Sequence, residues 1–454
     1  MARDTDLTLN RVEHRLTEIA YRTPMKFGGR VVTDATILDV HVDVVTRDGR
    51  RGRGSGSMPL SNAWAWPSQV VAGDRTLAAM VKLAHRYVAA TGDYNEAGHP
   101  LDITLALAAS HASLAGEVEK KLQLTEPIPR LAQLVVASPI EAAIHDAIGK
   151  TLGVCSFDLL SRDYVARDLG AYLNQDFAGE YLDAYTLRAP QPRLPLYHLV
   201  GALDPLTDAD IEERVADGLP ETLPEWITAD GLTHLKIKLG GDDLAWDVDR
   251  VVAIERVASE AQAARGCSRW NYSLDFNERC PNVDYVLDFL AGLESRAPAA
   301  LGRVQYIEQP THRDLKAHPE NRMHAAAKIK PVVIDESLVD LESLLTAREM
   351  GYTGVALKAC KGQTESLLMG AAAQKYGMFL CVQDLTCPGA SFLHSASLAA
   401  HIPTVAAIEG NARQYCPRGN EGWRDRYPSM FQPHEGTIET GVLNGAGLGF
   451  TWCD

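Results

Sequence analysis

The sequence has no cysteine pair at Cys-x-x-Cys spacing and no histidine-rich tract, so a zinc or iron–sulfur site has nothing to build on. Its eight cysteines lie scattered at 155, 267, 280, 360, 381, 387, 416 and 453. Scattered thiols in a long chain suit a reducing compartment, and a cytoplasmic location is expected. No unbroken apolar run comes near the roughly 18 residues that cross a bilayer, so no membrane partner is expected. The first two dozen residues are charged throughout and lack the apolar stretch of a secretion signal. Positive charge is also scarce. Against 59 Asp and Glu there are 44 Lys and Arg, a formal net charge of −15. That balance argues against a nucleic-acid partner, because phosphate binding needs a basic patch. What is present is a composition of 46% apolar and 23% charged residues over 454 positions, enough for two globular domains.

Three regions differ in texture. Residues 1–160 open with the alternating run VTDATILDVHVDVVTRDGR, which ends in Asp48-Gly49 and reads as a hairpin of half-buried strands. Helical patterns follow in RTLAAMVKLAHRYVAAT, PLDITLALAASHASLAGEVEKKL and SPIEAAIHDAIGKTLG, the last closed by Gly153. Strands followed by helices predict an α+β domain. The Gly-rich stretch Arg51–Gly56 follows a hairpin rather than joining a strand to a helix, and reads as a loop of that domain, not a nucleotide site.

Residues 190–420 repeat one theme, a short β-branched run followed by a helical stretch. The runs are LPLYHLV, THLKIKL, NYSLDF, RVQYIEQP, KPVVIDE, GVALKA, MFLCVQD and TVAAIEG. Apolar runs buried on both faces indicate parallel strands, and eight such units fit a closed barrel. An open doubly wound sheet is the alternative. Residues 421–454 carry prolines and glycines, and ETGVLNGAGLGFTW is expected as a hairpin returning to the first domain. The predicted fold is therefore α/β: a modified (β/α)8 barrel with an N-terminal α+β capping domain completed by the C-terminal segment.

Ionisable residues sit where those apolar runs end. Lys236 and Lys238 flank Ile237; Asp275, Glu308, Asp335 with Glu336, Lys358, Asp384 and Glu409 close the following runs. In a parallel barrel all of them reach the C-terminal rim, where catalytic groups converge. Buried charge is costly unless paired or bound to metal. Three carboxylates on successive strands can hold one hard cation, Mg²⁺ or Mn²⁺ rather than zinc. Lysines on the second and sixth strands face each other across such a ring, and two bases on opposite sides can take a proton from either face of a carbon. A proton α to a carboxylate is weakly acidic, and a cation stabilises the charge that develops as it leaves. These positions also admit structural readings: the carboxylates as helix N-caps, Lys358 as a Schiff-base lysine, or a barrel without catalysis. His234, His312 and His394 read as satisfied structural histidines.

In Lys236-Ile-Lys238, Leu274-Asp275-Phe-Asn277, Ile307-Glu308-Gln309-Pro310, Asp335-Glu336-Ser337 and Lys358-Ala-Cys-Lys361 the chain resembles the enolase superfamily and, within it, the muconate-lactonising-enzyme subgroup. The resemblance implies Asp275, Glu308 and Asp335 as metal ligands, with Glu336 competing for the third position. It implies Lys238 and Lys358 as acid/base catalysts, Lys236 as an orienting residue, and Glu409 as a substrate contact. Asp384 stands beside Glu409 as a further candidate contact. Cap segments near Met25–Arg30 and Ser55–Trp66 would close over a small-molecule carboxylate, and self-association into a homo-oligomer is implied. Racemase, epimerase or cycloisomerase chemistry is expected, with acid-sugar dehydration as the rival. Gln383-Asp384 stands where dehydratases of this superfamily place a histidine, Gln363 follows Gly362, and the stretch Gln191–Trp226 is longer than is usual.

Overall fold

The computed structural model describes residues 2–27 and 30–453. Gly28 and Gly29, in the first of the expected cap loops, lie outside the described residues. Strands β1 (Leu7–Phe27), β2 (Arg30–Thr46) and β3 (Arg51–Pro59) form an antiparallel sheet in that order. Val40, Val42 and Val44 of β2 alternate inward into the core, as the period-2 pattern requires. Four helices follow: α1 (Asn62–Ala65), α2 (Gly73–Gly92), α3 (Pro100–Leu122) and α4 (Arg130–Leu152). Pro100 opens α3, where a missing N–H costs nothing, and His99 Nδ1 accepts from Leu101 N. Among the described residues α4 is the one helix long and apolar enough to cross a membrane, and its apolar stretch is buried inside the protein.

Two expectations for this region are corrected. The segment Arg51–Gly56 is not a loop but the start of β3, and its glycines let α4 lie on the strand. A Cβ at Gly54 would sit 2.0 Å from Ala143 O, and one at Gly56 2.1 Å from Pro139 O. Met25 and Phe27 likewise belong to β1 rather than to a loop.

The eight apolar runs all become strands: β4 (Leu194–Val200), β5 (His234–Lys238), β6 (Asn271–Asp275), β7 (Val304–Glu308), β8 (Val332–Ile334), β9 (Gly354–Leu357), β10 (Phe379–Val382) and β11 (Val405–Glu409). Each is parallel to the next, and β11 pairs with β4 through Ile408↔Leu196 and Glu409↔Tyr197, which closes the barrel. The open-sheet alternative is thereby excluded. The expected C-terminal hairpin does not form. A two-residue strand β12 (Thr437–Ile438) runs antiparallel to the start of β4, and the turns beyond it reach the first domain, where Ser156 N donates to Gly447 O and Leu448 N to Asp146 Oδ1.

Candidate active site

Side chains on a strand point to opposite faces in turn, and in a barrel one set points into the lumen. The lumen is plugged by Tyr197, Tyr306, Val333, Ala356, Cys381 and Ala407. Two residues further along each strand the same face carries Leu199, Glu308, Asp335, Lys358, Gln383 and Glu409. A polar layer thus sits directly on an apolar plug. Lys236 starts in the plug layer, in register with Ser273, and its long side chain reaches up into the polar one. Lys238 lies in register with Asp275, and Asp275 with Glu308. Ile237, between the lysines, faces outward into the main core.

Lys236 Nζ donates to Gln383 Oε1 at 2.6 Å, Glu308 Oε1 at 2.9 Å and Glu409 Oε2 at 3.0 Å, and lies 3.1 Å from Asp275 Oδ2. Lys238 Nζ donates to Asp275 Oδ2 at 2.5 Å and Asn277 Oδ1 at 3.0 Å. Across the ring, Lys358 Nζ lies 2.8 Å from Asp335 Oδ2, while Lys361 Nζ donates to the backbone oxygen of Asp335 at 2.5 Å. The cap closes over this second pair. The Trp64 ring lies 4.1 Å from Lys358 Nζ, and its indole N–H donates to Glu336 Oε1 at 2.9 Å. Asn277 Nδ2 donates to the same Glu336 oxygen at 3.3 Å. Gln309 Oε1 accepts from both Asp335 N and Ser337 N, tying the end of β7 to the turn after β8. Its backbone takes φ 31° to do so.

These charges are buried: Lys236 is 1% exposed, Asp275 1% and Glu308 0%. Burial alone would favour the neutral amine at Lys236, but Glu308, Glu409 and Asp275 around it hold its pKa well above the ordinary lysine range. Burial likewise opposes charge on Asp275 and Asp335, yet adjacent lysines outweigh it and hold both below the usual carboxylate range. Lys358 is raised, since Asp335 outweighs the cost of burying it. Glu308 goes the other way, pushed up to about 8 by burial against the pull of Lys236. Glu336 rises to about 7, through burial and then the neighbouring Asp335.

The donor set can be tested against the expected cation. Glu308 Oε2 and Glu336 Oε2 are buried without a hydrogen-bond donor, and Asp275 and Asp335 spend side-chain oxygens on ammonium groups. Buried carboxylate oxygens of this kind fit a hard divalent ion. Among the described residues no three His, Cys, Asp or Glu side chains are already gathered as a metal-holding group, and lysine ammonium groups neutralise the carboxylates instead.

Every strand-end residue singled out from the sequence is therefore brought to one end of the barrel. Glu409 Oε1 accepts from Asn411 Nδ2, and its Oε2 from Lys236 and the Asp384 amide. Asp384 stands beside it but gives its own oxygens to the backbone N–H groups of Leu385, Cys387 and Asn411. His234 lies at the opposite end of β5, against Tyr197; His394 is buried on Gln363; His312 is exposed beside His318. Trp64, Asn277, Gln309, Gln383 and Lys361 join the site without a charge at a strand end to mark them. Asn277, Gln309 and Lys361 lie within the strand-end motifs and Trp64 within the second cap segment, while Gln383 stands where the histidine pattern is broken.

The sequence profile of the family described as enolase C-terminal domain-like matches residues 219–454, more than half of the chain. No curated protein matches significantly. Among solved structures, the muconate lactonizing enzyme from Pseudomonas fluorescens complexed with muconolactone is 17% identical, with a TM-score of 0.59 over 98% of this chain and 96% of that one. The dipeptide epimerase from Enterococcus faecalis V583, complexed with Mg and L-Leu-L-Tyr, is 16% identical, with a TM-score of 0.60 over 97% and 99%. The L-Ala-D/L-Glu epimerase from Bacillus subtilis in a substrate-liganded complex is 17% identical, with a TM-score of 0.59 over 97% and 98%.

Proposed function

Because this chain belongs to the enolase C-terminal domain-like family, and so to the enzymes of the enolase superfamily, we propose that it removes the proton α to a substrate carboxylate and returns one through an enediolate. The observation that carries this reading is the pair of lysines on β5 and just beyond β9, four strands apart in a ring of eight, each joined to a carboxylate of one buried layer. Asp275, Glu308 and Asp335 would hold Mg²⁺ (or Mn²⁺), which when bound would supply positive charge beside the substrate carboxylate. Lys238 takes the α-proton on one face. Lys358, kept as the ammonium by Asp335, gives a proton to the same carbon from the other face, so the centre inverts. Lys236 keeps a fixed positive charge in the floor of the site, held by Glu308, Gln383 and Glu409, where the developing dianion needs it. Trp64 covers the Lys358 side and excludes water.

Racemase or epimerase chemistry is the outcome that two facing lysines suit best, with cycloisomerisation sharing the same enediolate. The seventh barrel strand is followed directly by Gln383, engaged with Lys236 and Tyr306, which weighs against the acid-sugar dehydratase. The test is a library of dipeptides, N-acylamino acids, muconolactones and sugar acids incubated with Mg²⁺ in D₂O. At least one member should exchange its α-proton, and Lys238→Met and Lys358→Met should each cost about 10²–10⁴-fold on one face. Release of a 2-keto acid without exchange would assign the dehydratase reaction. Turnover insensitive to a chelator, with borohydride trapping, would replace the reading with Schiff-base chemistry.

A further inference from the structure

The long stretch before β5 builds a second cavity that the proposed chemistry does not use. Residues 201–222 leave the end of β4, cross the outside of the barrel and are held to the cap by Arg22, whose Nε donates to Asp217 Oδ2 at 2.6 Å and whose Nη2 donates to Asp217 Oδ1 at 2.9 Å. Between this segment, β4 and the helix Leu223–Asp230 lies a cavity of about 430 Å³, within the size range of small-molecule sites. Leu199, which packs with Met25, Phe27 and Tyr415, forms one wall of it, while His198, its neighbour on β4, points the other way from the strand.

Three features describe what the cavity would hold. Its walls are apolar, and Leu203 and Val215 of the extra segment stay 50% and 44% exposed along it. Its floor is polar and unsatisfied. His198 is 4% exposed and tilts against Trp226 at 5.1 Å, with no hydrogen-bond partner for either ring nitrogen among the described residues. Burial, then Arg413, pushes its pKa down to about 3, so the ring is neutral and offers a lone pair. Gln414 donates its amide N–H to Leu199 O at 2.9 Å, which fixes the amide's orientation and leaves Oε1 a buried acceptor without a donor. The rim is acidic. Glu212 and Glu213 have no ionic partner among the described residues, and Glu221 accepts only from backbone N–H groups.

The cations nearby are already engaged: Arg22 on Asp217, Arg250 on the carbonyls of Gly201 and Asp204, and Arg413 on Asp230. Asp204 receives the Tyr415 hydroxyl and the Gly201 amide. Unsatisfied acceptors inside, carboxylates at the mouth and apolar walls between them call for a donor-bearing cation with an apolar body.

We propose that this cavity is a binding site for a small organic ammonium ion, a protonated primary amine on an apolar or aromatic body. The amine lies toward His198 and Gln414, within the field of Glu212 and Glu213. The site does not depend on the proton-transfer chemistry.

The test is titration calorimetry of the full chain with benzylammonium chloride, using benzyl alcohol and benzoate as the neutral and anionic counterparts. Benzylammonium should bind saturably at one site, and more tightly than either counterpart. Glu212→Gln and Glu213→Gln are exposed changes that leave the fold intact. Each should weaken binding about threefold, since one exposed ion pair is worth less than a factor of ten. His198→Phe keeps the ring against Trp226 and should weaken binding further. Equal binding of benzyl alcohol or benzoate overturns the proposal. So does benzylammonium binding that is absent, or indifferent to both the rim and the His198 changes.

Discussion

Lys236 is the side chain on which the buried charge converges, so its removal is the most revealing single change. In Lys236→Met the carboxylates of Glu308, Glu409 and Asp275 would face one another without the ammonium that separates them. Taking one partner from a buried ionic group typically costs about 3–5 kcal/mol. The variant should show that loss in urea unfolding, and adding Glu308→Gln should recover part of it, because the two residues share one network. At this scale the strand-end charges were legible, as each interrupts an apolar run. Asn277, Gln383 and Trp64 carry no such mark. An amide is unremarkable in sequence, and Trp64 gains its place only because the cap lays its indole on Glu336 and its ring on Lys358.

The strand β3 shows the same limit at the scale of an element. Gly52, Gly54 and Gly56 look like loop residues, yet they lie in a strand whose side chains are absent because α4 occupies their space. Gly54→Ala should therefore cost about 3 kcal/mol, at the upper end for overpacking, with loss of folded protein as the extreme outcome. Gly49→Ala, at the neighbouring turn, meets nothing within 4 Å and carries only the strain of φ +89°. That strain is about 1–2 kcal/mol, and thermal unfolding of the two variants separates the causes. Helix α4 makes another prediction through Glu141, which accepts from Thr364 N and is raised to about 7 by burial. Its folded pKa lies above its unfolded one. The associated stability is complete below about pH 4.5 and is lost as pH rises through about 7. Glu141→Gln should therefore gain up to about 3 kcal/mol over the parent at pH 8 and lose that advantage below pH 4.5, since each pKa unit is worth about 1.4 kcal/mol.

For the whole molecule, the barrel was far more legible than the cap. All eight strands were visible, because a strand buried on both faces writes an unbroken apolar run. β1 wrote none: most of its length is half-buried or exposed at the edge of its sheet, so no periodic signal marks its 21 residues. The proposed cation gives a test that needs no substrate. A ligand bound only by the folded chain raises its stability. Mg²⁺ should lift the unfolding temperature by a few degrees, and Asp275→Asn should abolish the lift. An identical lift in that variant would move the cation elsewhere.

Asp146 ties an early segment of the chain to a late one. This carboxylate, buried in α4, takes its Oδ1 hydrogen bond from Leu448 N, 302 residues downstream, and its Oδ2 bonds from Ser55 N and Lys150. A nascent chain that has emerged from the ribosome only as far as the cap therefore holds an acid whose last donor has not yet been synthesised. The cap precedes the barrel in the chain yet is finished only after it, and the cap, expressed by itself, would lack the backbone that completes it.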